Sequence, residues 1–135
     1  MKKIIPVCLF ISALFAWFSF QQSKWVAPTS ADKQKNPAAK DEASVNAGKL
    51  IYVEQCKSCH GSKGKDDGPK SASMDVSCGN FTSDDFKQQT DGAIFWKINE
   101  GRKPMPSFKL NLNDNQKWNL VNYIRTLGEK PLKGK

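Results

Sequence analysis

The chain has 135 residues, which accommodate one modest domain, and a formal net charge of +8 at pH 7. This charge is unevenly spread and reflects mostly the two ends of the chain. Residues 1–45 carry +3 (six Lys against three acids), residues 46–127 carry +3 (twelve Lys and Arg against nine acids), and residues 128–135 carry +2 (three Lys against one Glu). No basic stretch alternates with stacking aromatic side chains, so the composition argues against nucleic acid binding.

The N-terminus is typical of an export signal. Lys2 and Lys3 precede an apolar run over residues 4–20, and a basic start followed by an apolar stretch directs a chain across a membrane. A helix of that length spans roughly 25 Å, slightly less than the hydrocarbon core of a bilayer. We therefore expect residues 1–27 to be either a cleaved signal peptide or a lasting N-terminal anchor, which would tether the protein to the membrane through residues 4–20. Both alternatives predict a location on the periplasmic side of a bacterial inner membrane.

The next segment, residues 28–45, contains no aromatic residue and no periodic apolar face. Such a segment buries too little apolar surface to offset its ordering entropy, so it is predicted to be a flexible linker. The folded domain is then expected over residues 46–127, followed by a polar basic tail at residues 128–135. A first helix is predicted from about Val45 to Gln55.

Directly after this helix, Cys56 to His60 form a C-x-x-C-H sequence, which is the attachment motif of c-type haem. The two thiols are spaced to add to the two vinyl groups of one porphyrin, and the following histidine supplies the proximal iron ligand. His60 is the only histidine of the chain. A redox dithiol normally follows a strand, a zinc site needs more ligands, and a structural disulfide leaves His60 without a role.

Two further helices are predicted from apolar residues at helical spacing. One covers residues 91–100, and the other begins at about Asn113 or Asp114 and ends near Leu127, with Asp114 as the expected N-cap. Residues 83–88 are expected to add a short helical turn. Apolar residues nowhere alternate with period two, so we expect no substantial sheet.

These motifs together resemble class I cytochrome c, and within it the bacterial single-haem branch that includes the domains of cbb3-type oxidases. The resemblance spans about residues 47–127 and implies a small all-α cytochrome c fold, with three to four helices wrapped around one covalent haem. It also implies that the first and last helices cross, with Gly48 against Tyr123 or Trp118. The residues that carry it are Gly48, Ile51 and Tyr52, then Cys56, Cys59, His60 and Gly61, then Gly101, Pro104, Met105, Pro106 and Phe108.

The resemblance implies that Met105 is the second axial iron ligand. A thioether is a soft donor that suits low-spin iron, and the flanking prolines predict a stiff extended segment. Met74 is the rival ligand, but it lies in a Ser-rich stretch without rigid neighbours. The resemblance further implies that a proline carbonyl orients the proximal histidine, and Pro69 stands at the matching position.

The implied function is that of an electron carrier rather than an enzyme, working between respiratory redox partners such as a quinol-oxidising complex and a terminal oxidase. The alternatives are a gas sensor or enzyme with an open sixth iron position, and a haem-bearing subunit of a larger complex. Cys78 departs from the family pattern and is interpreted as a buried filler, an intermolecular disulfide partner or a redox-sensitive thiol. The hypothesis that lysines steer docking to an acidic partner rests on Lys57, Lys63, Lys65, Lys103 and Lys109.

Overall fold

The computed structural model describes residues 24–128, and within that range the secondary structure is helical without any strand. The only ladder pairings there are two isolated antiparallel bridges. This confirms the all-α prediction. The described elements are α1 (Thr29–Asp32), α2 (Glu42–Gln55), α3 (Lys57–His60), a 3₁₀ turn (Ser71–Ser73), α4 (Asp84–Lys87), α5 (Asp91–Glu100) and α6 (Asp114–Gly128).

Between residues 24 and 128, no helix has the length and apolarity that a bilayer span requires. The predicted signal or anchor segment lies almost entirely in residues 1–23, which are outside the described range, as are residues 129–135 of the predicted tail.

The first and last long helices, α2 and α6, cross at Gly48. A Cβ atom on Gly48 would lie 2.0 Å from the Asn119 carbonyl oxygen and 2.9 Å from the Tyr123 Cβ atom, so only glycine permits this approach. The predicted crossing is therefore confirmed with Tyr123 as the aromatic partner. Trp118 instead stacks on Phe95 of α5, with ring centroids 4.1 Å apart.

Helix α5 has the predicted bounds because both of its ends carry local signals. The Thr90 side chain accepts a hydrogen bond from the Ala93 N–H at 3.1 Å, and Gly101 ends the helix with a φ of 65°. Its last turn is joined to α6 through Lys117, which is buried and donates a hydrogen bond to the Asn99 side chain at 2.6 Å.

The N-cap of α6 differs from the prediction. Asn113, not Asp114, accepts a hydrogen bond from the Gln116 N–H, and the Gln116 side chain accepts one from the Asn113 N–H, both at 2.9 Å. This reciprocal pair is a capping box. Asp114 is instead the first helical residue and forms a salt bridge with Lys117 at 2.9 Å.

Residues 28–45 differ from the predicted flexible linker. Asp41 caps α2 by accepting a hydrogen bond from the Ser44 N–H at 2.8 Å, so this helix begins at Glu42, before the predicted start. The segment before it, Lys24–Asp41, contains α1 and packs on the domain; we call it the N-terminal strap. Ala27 and Ala31 of the strap are buried against Ala93 of α5.

Candidate haem site

Two neighbouring cavities adjoin the C-x-x-C-H turn. The larger one, of ≈ 250 Å³, lies between this turn, residues 74–79 and residues 102–108. The smaller one, of ≈ 150 Å³, also borders α5 and α6. Cys56, Cys59, His60 and Met105 all line the larger one, and three of these residues also line the smaller one. Their shared wall is largely apolar and includes Phe108. The structure thus brings the two predicted attachment cysteines and both predicted axial ligands together at one cavity.

The C-x-x-C-H motif forms a helical turn that continues from α2. The His60 N–H donates to the Cys56 carbonyl at 3.0 Å, and the Cys56 N–H donates to the Tyr52 carbonyl at 2.9 Å. Tyr52 is fully buried, and its hydroxyl donates to the Gly61 carbonyl at 2.7 Å, which anchors the chain directly after the motif. Burial, and next the neighbouring Cys59, raise the pKa of the Cys56 thiol to about 12.

His60 has the surroundings expected of an iron ligand. Its ring stacks on Phe81 with centroids 4.6 Å apart, and burial lowers its pKa, so the imidazole is neutral at pH 7. Neutral imidazole is the form that binds a metal. Among residues 24–128, His60 Nδ1 is the one buried side-chain nitrogen or oxygen without a hydrogen-bond partner. Neutral imidazole, paired thiols and a thioether around one apolar cavity fit a haem.

The loop that carries Met105, residues Gly101–Phe108, is called the methionine loop here. Arg102 and Met105 exchange two backbone hydrogen bonds, of 3.1 and 2.9 Å, so Met105 closes a tight turn and does not lie on the predicted extended segment. The Phe108 N–H donates to the Ile98 carbonyl at 3.1 Å, and the Ser107 hydroxyl donates to the Asn99 carbonyl at 2.6 Å. The turn is therefore held against the end of α5.

Comparison with known proteins agrees with this geometry. The family model described as "Cytochrome C oxidase, cbb3-type, subunit III" matches residues 43–124. The chain belongs to this cytochrome c family. The resemblance to class I c-type cytochromes is confirmed, and the family is one of haem-binding electron carriers.

A chain in the solved structure of the Kuenenia stuttgartiensis reducing HAO-like protein complex Kustc0457/Kustc0458 is similar in sequence and fold to this cytochrome. The two share 31% sequence identity with a TM-score of 0.64, and the match covers 69% of this chain and 47% of the other. The cytochrome thus matches about half the length of that relative. The search of curated proteins gave no match.

Pro69 follows a glycine that packs on the motif. A Cβ atom on Gly68 would lie 2.5 Å from the carbonyl oxygens of Ser58 and Cys59. His60 Nδ1 makes no hydrogen bond in this structure, to Pro69 or to any other described residue, so the orienting role of Pro69 stays a prediction. Burial lowers the pKa of His60, and Asp66, followed by the backbone of Gly79 and Cys78, acts in the opposite direction.

Asp66 joins the chain that follows His60 to the segment around Cys78. No sequence motif indicated this role. The Asp66 N–H donates to the His60 carbonyl at 3.1 Å, and its carboxylate accepts from the Cys78 N–H at 2.8 Å and from the Ser77 hydroxyl at 2.6 Å. Asp66 also has a φ of 62°, which is unusual for a residue other than glycine. It therefore fixes the segment around Cys78 beside His60.

Met74 and Cys78 also line the larger cavity. The Cys78 thiol donates to the Met74 sulfur at 3.5 Å. Burial, followed by Asp66 and Cys59, raises the pKa of Cys78 to about 11. Met74 is thus joined to the segment that flanks His60, whereas Met105 approaches the cavity from the separate methionine loop.

Two groups of side chains complete the surroundings of the cavity. The five predicted docking lysines are all exposed, as the steering hypothesis requires. Four further residues line the cavities without belonging to any predicted site motif: Trp25, Gln89, Lys97 and Arg102. Trp25 was missed because it precedes the folded domain that the sequence predicted.

Proposed function

We propose that this cytochrome carries single electrons between respiratory redox proteins on one covalently bound haem c. Cys56 and Cys59 would hold the porphyrin through thioether bonds, and His60 and Met105 would be the two protein ligands of the iron. The bound haem supplies the one-electron chemistry by cycling between ferrous and ferric iron. The observation that supports this proposal most strongly is that all four residues line one cavity.

The protein groups in this site have binding and orienting roles. The methionine loop is tied to α5 by backbone hydrogen bonds, and His60 is stacked on Phe81, so both ligands are held with little freedom. If both residues bind the iron, ligands held in this way would move little when an electron is gained or lost. Two bound ligands would also leave no coordination position for a substrate, which favours an electron carrier over a sensor or enzyme.

An optical spectrum of the purified haem protein, with and without carbon monoxide, tests this proposal. We expect a methionine–ferric charge-transfer band and no response of the ferrous protein to carbon monoxide. Ready binding of carbon monoxide would show an open sixth position. The protein would then be a gas sensor or an enzyme and not the proposed electron carrier.

The assignment of Met105 rather than Met74 predicts different effects of the same substitution. Met105→Leu is expected to abolish the charge-transfer band and to lower the reduction potential by more than about 100 mV, since axial ligand identity spans about 0.8 V in haem proteins. Met74→Leu is the matched control and is expected to leave both properties unchanged. Spectroelectrochemical titration measures both, and the opposite pattern would assign the ligand to Met74.

Two exposed lysines in and directly after the methionine loop, Lys103 and Lys109, support the steering hypothesis. Lys103→Glu and Lys109→Glu together are expected to slow oxidation by an anionic oxidant such as ferricyanide by about tenfold at low ionic strength, because electrostatic steering raises association rates by roughly 10- to 1,000-fold. Stopped-flow kinetics at increasing salt measures the effect, which should fade as screening increases.

Lys35→Glu and Lys49→Glu form the matched control, because both residues are exposed and the net charge changes by the same amount. The control pair should slow oxidation less. Equal slowing in the two pairs would mean that net charge alone matters, and the steering role of Lys103 and Lys109 would be wrong.

Export of the domain is the remaining part of the proposal. The apolar run at residues 4–20 and its two preceding lysines support transport across the inner membrane, and covalent attachment of haem c would follow on the periplasmic side. Redox partners such as a quinol-oxidising complex and a terminal oxidase are proposed for that location. Fractionation of cells into periplasm and membranes tests it, and a cytoplasmic protein would contradict it.

A further inference from the structure

The N-terminal strap lies outside residues 43–124, the part of the chain that matches the cytochrome family. Its contact with α5 is nevertheless close. A Cβ atom on Gly92 would lie 2.0 Å from the Ala31 carbonyl oxygen, so α1 rests directly on the backbone of α5. The Thr90 hydroxyl donates to the Asp32 carboxylate at 3.0 Å, at the start of the same helix.

The far end of the strap is fastened to α6. The Asn36 amide donates to the Asn122 side-chain oxygen at 2.7 Å, and the Asn122 amide donates to the Ala39 carbonyl at 3.1 Å. Asn122 is almost fully buried. The strap is therefore joined to both helices that border the smaller cavity, and its path is set by specific contacts.

These contacts place Trp25 at the haem cavity. Its ring lines both cavities and lies against Trp96 of α5, with centroids 6.2 Å apart. The Arg102 guanidinium lies 4.9 Å from the centre of the Trp25 ring, and the Lys97 ammonium lies 5.5 Å from it. Both distances are within the range of cation–π attraction.

Arg102 connects Trp25 to the proposed iron ligand. Its backbone exchanges two hydrogen bonds with Met105, so a contact that holds Arg102 also holds the turn that presents the Met105 sulfur. We propose that Trp25 is a positioning residue of the haem site: the strap holds its ring over the cavity and against the methionine loop, where it keeps Met105 on the iron and limits access by competing ligands. This inference rests on the proposed ligation by Met105.

Imidazole is a suitable probe, because it competes with methionine for ferric haem iron. Trp25→Ala is expected to increase the affinity of the ferric protein for imidazole about tenfold, which equals about 1.4 kcal/mol. Trp25→Phe keeps an aromatic ring against Arg102 and should restore at least half of that free-energy difference. Val26→Ala is the control, because Val26 is the adjacent strap residue and its side chain is exposed.

A second variant tests the strap without altering the cavity wall. Gly92→Ala places a methyl group against the Ala31 carbonyl and should displace the strap from α5, so its imidazole affinity should rise as in Trp25→Ala. If Trp25→Ala does not retain haem, the imidazole affinity of Gly92→Ala tests the proposal by itself. Optical titration measures the affinities, and far-ultraviolet circular dichroism verifies that each variant is folded.

The proposal is overturned if the imidazole affinities of Gly92→Ala and Trp25→Ala are within twofold of that of Val26→Ala. It is also overturned if the imidazole affinity of Trp25→Phe is as high as that of Trp25→Ala. It is also overturned if the intact mass of the mature protein shows that Trp25 has been removed. The Met105→Leu variant distinguishes a failure of the Trp25 proposal from a failure of the proposal that Met105 ligates the iron. Unchanged imidazole affinity in Met105→Leu would refute ligation by Met105 itself.

Discussion

Replacement of both Cys56 and Cys59 by serine is expected to abolish the covalent attachment of haem completely. Each serine lacks the thiol that adds to a vinyl group, so haem would remain only through its axial ligands and would leave the denatured chain. Denaturing gel electrophoresis followed by haem staining measures this loss. Each single variant should retain one thioether bond and show a red-shifted ferrous spectrum, because one vinyl group stays unreacted.

Cys78→Ser is the matched control for these variants. Cys78 lines the same cavity and is half-buried, but it lies outside the C-x-x-C-H spacing. The variant should keep its full haem stain and an unshifted ferrous spectrum. Loss of covalent haem in Cys78→Ser, or its retention in the double variant, would contradict the assignment of Cys56 and Cys59 as the attachment sites.

The second large effect is expected at the helix crossing. Gly48→Val would place a branched side chain where a Cβ atom already comes within 2.0 Å of the Asn119 carbonyl oxygen. Because this neighbour is backbone, α2 and α6 must move apart, and overpacking of this kind typically lowers stability by about 1–3 kcal/mol. For a domain of this size, a loss of about 3 kcal/mol lowers the Tm by roughly 15 °C.

Lys49→Val is the control that separates the effect of crowding at the helix crossing from the effect of introducing a valine into α2. Lys49 lies next to Gly48 on α2 and is exposed, so the same side chain there meets no close neighbour. Thermal unfolding of the two haem-loaded variants, followed by circular dichroism, should show a much larger decrease in Tm for Gly48→Val. Equal decreases would mean that the close approach of α2 and α6 contributes little to stability.

The elements that the sequence predicted correctly carry local signals. Helix α5 is bounded by Thr90 and Gly101, which act through their own side chain and backbone, so its bounds do not depend on the rest of the fold. The cysteines and histidine of the motif are neighbours in sequence, and one helical turn brings them to the cavity. The crossing at Gly48 needed the family resemblance, because a single glycine has no pattern of its own.

The features that the sequence did not reveal depend on distant contacts. The order of the strap comes from Gly92 and Asn122, which lie far along the chain from Ala31 and Asn36. The site role of Trp25 depends on that packing. Small alanines and single amide side chains hold the segment 28–45 in place. It therefore packs on the domain without the periodic apolar face by which a sequence reveals a packed element.

The packed strap also changes how the domain would behave beside a membrane. If residues 4–20 remain in the bilayer, the ordered chain begins by Lys24, so few residues separate the anchor from the strap. The reach of a tether grows with the number of its residues, and only residues 21–23 stand between the two segments. Such a domain would stay close to the membrane surface while its anchor diffuses in the plane of the bilayer. It would therefore reach partner sites that lie near that surface and not sites that project far from it.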